Sequence, residues 1–125
     1  MIAADSSSLI NYLRGARTPD RVLVRRAIDA KELWLPPPVK TEIMSGRLSG
    51  LDLTGLMENA PLLTISSGFW ERAGESRRLI LSKGLKAHLA DTLIAQCCID
   101  SNVPLIARDG DYVNFERWCG LKLAT

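Results

Sequence analysis

The sequence predicts an α/β domain: a mainly parallel central sheet of four to five strands flanked by helices. Three observations carry this. Short apolar runs alternate along the chain with segments of helical periodicity, the order that builds a parallel sheet with helical crossovers. A length of 125 residues suits one domain with a real core and is too short for two ordinary ones. Asp5 and Asp109 each directly follow an expected strand, at the carboxyl ends where such sheets collect their ligands.

Residues 1–4 read as the first strand, and Leu9, Ile10 and Leu13 form one face of the helix that follows, with Gly15 as its stop. Val22, Leu23, Ala27 and Ile28 make residues 19–31 a second amphipathic helix. "ELWLPPP" is a short strand over 33–35, stopped by prolines that cannot donate ladder hydrogen bonds, and Pro38 can open the next helix. Helices are expected over 39–48 and 51–59, then a third strand at "LLTI", 62–65. A long helix over 68–82 ends near Gly84. "HLADTLIAQCCIDSN" is a helix apolar on most of its faces, which implies burial, with Asn102 near its end. "VPLIAR" is a fourth strand and "GLKLA" a fifth, at the edge.

Composition excludes several classes. Apolar residues make up 46% and charged residues 24%, ordinary values that argue against disorder and coiled coil. A net charge of +2 is too small to mark a nucleic-acid binder by itself. The cations are unevenly placed, with Arg14, Arg17, Arg21, Arg25 and Arg26 in one stretch and Arg72, Arg77, Arg78, Lys83 and Lys86 in another. Two solvated helix faces are the plainer reading of these stretches, ahead of nucleic-acid contact. Cys97, Cys98 and Cys119 have neither disulfide-framework nor zinc spacing and read as reduced, mostly buried thiols. No run approaches the roughly 20 apolar residues of a membrane span and no signal peptide is visible, so a cytoplasmic location is expected.

The chemistry rests on acids. Asp5 and Asp109 end strands, Glu42 lies on the helix after the second strand, and Asp91 is the only charged residue between His88 and Asp100. Asp111 stands two residues beyond Asp109. Each has a plain structural alternative: Asp5 as a helix N-cap, Glu42 as a surface acid, Asp91 as an early-helix acid facing the macrodipole, Asp109 or Asp111 as turn residues beside Gly110. One shared site explains them more economically than four separate accidents. Clustered hard oxygens suit Mg²⁺ or Mn²⁺, which offsets their repulsion and activates water against a phosphoryl centre. Ser7 is a candidate donor to a carboxylate behind that site, or a helix cap. His88 is alone, and no GxSxG, P-loop or GxGxxG occurs.

"DSSSLINYL", "TEIMSG", "LADTLIAQCC" and "PLIARDGDYVNFERWCGLKL" together resemble the PIN-domain ribonucleases, and among them the VapC-type toxins of toxin–antitoxin pairs. Any one stretch is weak; the order and spacing of all four are specific, and they cover nearly the whole chain as one PIN domain over 1–125. The resemblance implies that Asp5, Glu42, Asp91 and Asp109 hold Mg²⁺ or Mn²⁺, with Asp111 as an additional or alternative acid. It further implies an RNA substrate, endoribonuclease activity, a homodimer, and a small antitoxin lying in a groove near the site. Tyr112 departs from the pattern by standing where phenylalanine is usual. Phe69 and Trp70 add an independent reason to expect self-association, since they open a helix with more apolar surface than a modest sheet covers. Two alternatives remain open, a non-enzymatic module of the same fold and a free-standing RNA-processing nuclease. A phospho-acceptor receiver domain fits poorly, because Asp5 has only serines beside it.

Overall fold

A computed structural model describes residues 1–108 and 110–124. Four strands, β1 (Ile2–Ala4), β2 (Leu33–Trp34), β3 (Leu105–Ile106) and β4 (Leu123–Ala124), form one sheet in the order β2-β1-β3-β4. All pairings are parallel: Ala3 registers with Trp34 on one side and Leu105 on the other, and Leu105 with Leu123. Parallel neighbours need crossovers, and helices supply them. The chain leaves β1 toward β2 and later returns on the opposite side to β3, so the order reverses between β1 and β3. Such a reversal opens a crevice at the carboxyl ends of the strands.

The helices are α1 (Ser6–Leu13), α2 (Pro19–Asp29), α3 (Pro37–Ser45), α4 (Leu51–Asn59), α5 (Phe69–Ser82), α6 (Leu89–Ser101) and α7 (Val113–Cys119), with a 3₁₀ turn at Gly110–Tyr112. Their ends follow local chemistry. Asp5 caps α1, its side chain accepting from the Ser8 backbone N–H. Proline opens α2 and α3, where its fixed φ suits a first turn and its missing N–H costs nothing. That moves the start of α3 to Pro37, ahead of the expected residue 39, and α3 stops at Ser45 where Gly46 turns extended. Asn102 closes α6 in the left-handed conformation at φ 53°.

The expected strand over 62–65 is absent; one parallel bridge, Leu35 to Leu62, stands in its place. Leu35 is followed by three prolines, which have no N–H to continue a ladder. Burial agrees, since Leu63 is enclosed while Leu62, Thr64 and Ile65 are exposed. "GLKLA" does pair, as β4, so among the described residues the sheet has four strands, within the four to five expected.

The core gathers Ala3 and Ala4 of β1, Leu9 of α1, Val24 of α2, Ile43 of α3, Ile94 and Ala95 of α6, Leu105 and Ile106 of β3 and Phe115 of α7. The expected burial of α6 is confirmed over its centre, where residues 94–98 are enclosed. All three cysteines are free, and burial pushes the Cys97 thiol up to about 12 and Cys98 higher still. At neutral pH they are inert packing groups. Among the described residues no helix is long and apolar enough to cross a membrane.

Candidate active site

Asp5 leaves β1 at the point of reversal. Its backbone N–H donates to Ile106 O at 3.0 Å, which places it level with the end of β3. Its side chain is 3% exposed. Oδ1 accepts from Ser8 N at 2.9 Å and Oδ2 from Ser7 Oγ at 3.0 Å. The N-cap reading and the site reading of Asp5 are therefore compatible, because the cap fixes the carboxylate in the crevice instead of leaving it to rotate.

Glu42 reaches the same turn from α3, which packs on α1. Ser6 Oγ donates to its Oε1 at 2.6 Å, although Glu42 itself is exposed. Three consecutive serines thus divide their work: Ser6 serves Glu42, Ser7 serves the Asp5 side chain, and Ser8 supplies the backbone cap. Ser6 and its link to Glu42 escaped the sequence reading; the serine run was the available signal, but only the packing of α3 on α1 reveals the partner.

Asp91 occupies the first turn of α6, which also packs against the 3₁₀ turn. This is the early-helix position that the plain structural alternative expected. The carboxylate is half-buried, at a helix N-terminus that favours negative charge, and the hydroxyl of buried Tyr112 donates to Oδ1 at 3.3 Å. A phenylalanine at position 112 would lack that donor. Asp111 is exposed in the same turn, and Asp109 lies outside the described residues.

The structure thus brings Asp5 and Glu42 together around the start of α1, and Asp91 and Asp111 around Tyr112. Among the described residues, no three acids close into a group able to hold an ion by themselves. The groups described at these positions are carboxylates and hydroxyls, and oxygen donors of this kind fit a hard divalent cation.

The basic stretches separate on folding. Arg72 is no free cation: its Nη2 donates to Asp100 Oδ2 at 2.7 Å and its Nε contacts the same carboxylate. Arg77 donates to Ala87 O, and Lys83 lies 3.8 Å from the centroid of the Trp118 ring. Arg108 is exposed just after β3.

A four-stranded parallel α/β fold with acids at its crevice describes a class; comparison with known proteins narrows it. The family model described as PIN domain matches residues 2–118. The chain belongs to the PIN domain family. A search of curated proteins finds no match. Among solved structures, VapBC2 from Rickettsia felis, bound to a DNA fragment from its promoter, has a TM-score of 0.70 at 18% identity, covering 99% of this chain and 98% of that one. VapBC-5 from Mycobacterium tuberculosis, of a toxin–antitoxin family, has a TM-score of 0.65 at 16% identity, covering 98% and 95%. FitAB bound to a DNA fragment has a TM-score of 0.66 at 15% identity, covering 99% and 94%. At such identities the likeness is one of fold.

Proposed function

We propose that this protein is a metal-dependent endoribonuclease acting as the toxin of a toxin–antitoxin pair. The observation that carries the reading is Asp5, a buried carboxylate with both oxygens oriented by one helical turn, at the sheet's point of reversal in a PIN domain. Asp5, Glu42, Asp91 and Asp109 are the proposed ligands of Mg²⁺ or Mn²⁺, with Asp111 in reserve. When bound, the ion supplies charge neutralisation and activation of water for phosphodiester hydrolysis. The chain supplies position: Ser7 and Ser8 hold Asp5, Ser6 holds Glu42, and Tyr112 holds Asp91. Exposed Arg108, the residue before Asp109, is the proposed contact for an RNA backbone. A small antitoxin partner belongs to the same proposal, supported by the toxin–antitoxin proteins that share the fold; a homodimer and a cytoplasmic location complete it.

The test is cleavage of single-stranded RNA by the purified chain with Mg²⁺ or Mn²⁺. Asp5→Ala should lose activity by at least about 100-fold, as expected for a lost ligand or its support, and chelation should silence the wild type. Induced without an antitoxin, the wild type should arrest growth and the variant should not. Growth arrest by both proteins, with the variant folded and free of nuclease activity, would replace the nuclease with a partner-binding module.

A further inference from the structure

Asp20 is a buried acid that the proposed chemistry does not use. It lies in the first turn of α2, 4% exposed, and no cation pairs with it among the described residues. Asn11 Nδ2 donates to its Oδ2 at 3.0 Å. Its Oδ1 is buried beside the hydroxyls of Ser8 and Thr18, none of the three atoms having a hydrogen bond of good geometry. Burial pushes this carboxyl up, but Thr18, Asn11, Ser8 and the Arg21 backbone N–H outweigh it and hold it below the ordinary carboxylate range.

Asn11 and Ser8 are three residues apart, hence on one face of α1. Ser8 is fully buried and looks both ways: its hydroxyl lies toward Asp20, and its backbone N–H donates to Asp5 Oδ1 at 2.9 Å. We infer that Asp20 is a positioning residue for the candidate site, fixing the start of α1 through Asn11 and Ser8 and thereby the carboxylate of Asp5. Its meaning for catalysis rests on the proposed role of Asp5; the coupling between Asp20 and Asp5 does not. Asp20 anchors α1 through its bond from Asn11, so removing the carboxylate frees Asn11 and takes the nearby polar group from the buried Ser8 hydroxyl.

The experiment compares Asp20→Ala, Asp20→Asn and Val24→Ala in the full metal-free chain. Val24 is fully buried on the same helix and stands outside the polar contacts, so it reports loss of packing alone. Amide hydrogen exchange at Ser8 reads the cap on Asp5 directly, and calorimetric Mn²⁺ titration reads the consequence. In Asp20→Ala, Ser8 exchange should accelerate beyond the change seen at other α1 amides, and Mn²⁺ affinity should fall about 10- to 100-fold, the usual effect of losing a partner behind the ligands. Asp20→Asn keeps part of the hydrogen bonding and should fall between. Val24→Ala should lower the Tm while leaving Mn²⁺ affinity and the relative exchange of Ser8 unchanged.

Ser8 exchange in Asp20→Ala that rises only in step with lowered stability, as in Val24→Ala, would overturn the inference. Should Asp20→Ala not fold, Asn11→Ala and Asp20→Asn carry the same comparison. If the wild type takes up no Mn²⁺, the metal-site proposal fails, while the Ser8 measurement still decides whether Asp20 positions Asp5.

Discussion

Tyr112 shows what a single side chain adds. It fills core volume as phenylalanine would, yet its hydroxyl reaches Asp91. Asp91→Asn removes a negative charge from a helix N-terminus, which costs about 0.3–1 kcal/mol, but the carboxamide oxygen still accepts from Tyr112. The metal-free melting temperature should therefore change by a few degrees at most, while Mn²⁺ should lose most of its stabilising effect. Thermal melts with and without Mn²⁺ check this. Equal Mn²⁺ stabilisation of both proteins would remove Asp91 from the site. The acids stood out in the sequence because charges interrupting apolar surroundings are conspicuous. Ser6 as the partner of Glu42 and the Tyr112 hydroxyl as the partner of Asp91 were not legible, nor was the pair Asp20 and Asn11, because hydroxyls and amides occur everywhere and only packing selects which one meets a carboxylate.

Among the elements, α5 and α6 are joined by a polar clamp. Arg72 grips Asp100, Gln96 Nε2 donates to Asp100 Oδ1 at 2.8 Å, and Ser76 Oγ donates to Gln96 Oε1 at 2.7 Å. The Arg72 hydrogen bonds and the Gln96 amide hold Asp100 below its ordinary value near 3.8, against the upward push of burial. A carboxyl whose folded pKa is depressed contributes stability that is complete above the unfolded value and lost as pH falls through the folded one. Denaturant unfolding followed below pH 4 should show this loss in the wild type, and Asp100→Asn should be less stable at pH 7 with a shallower acid dependence. Parallel acid profiles of the two proteins would place the sensitivity elsewhere. Helices were legible because the 3.6-residue period, the prolines and the glycines all marked them. The 62–65 run was misread because a short, mainly apolar run does not reveal that the neighbouring segment is made of prolines and cannot pair.

For the whole molecule, the parallel α/β architecture was readable from alternation alone, whereas strand order was not, since pairing partners are far apart in the chain. Self-association is open to direct measurement. Trp70, Leu81 and Leu89 are exposed around a cleft of about 580 Å³ between α5 and α6, an apolar surface of the kind that pairs between copies. Light scattering at micromolar concentration should give the mass of two chains, and Leu81→Lys should shift it toward one. A monomer across the full concentration range would refute the dimer without touching the catalytic proposal.

The order of strands has a consequence for how the molecule is made. Ala3 has one neighbour close in sequence, Trp34, but its other neighbour is Leu105, which pairs in turn with Leu123. Long-range parallel pairing of this kind forms late and slowly. While a ribosome is translating the chain, Asp5 therefore waits without β3 beside it and without Tyr112 opposite Asp91. If the proposed nuclease function holds, the acids stay apart in a nascent chain until the β3 segment has emerged. Chains stalled at increasing lengths should gain protease resistance only once the β3 and β4 segments have emerged, and early resistance from the first half alone would contradict this order of assembly.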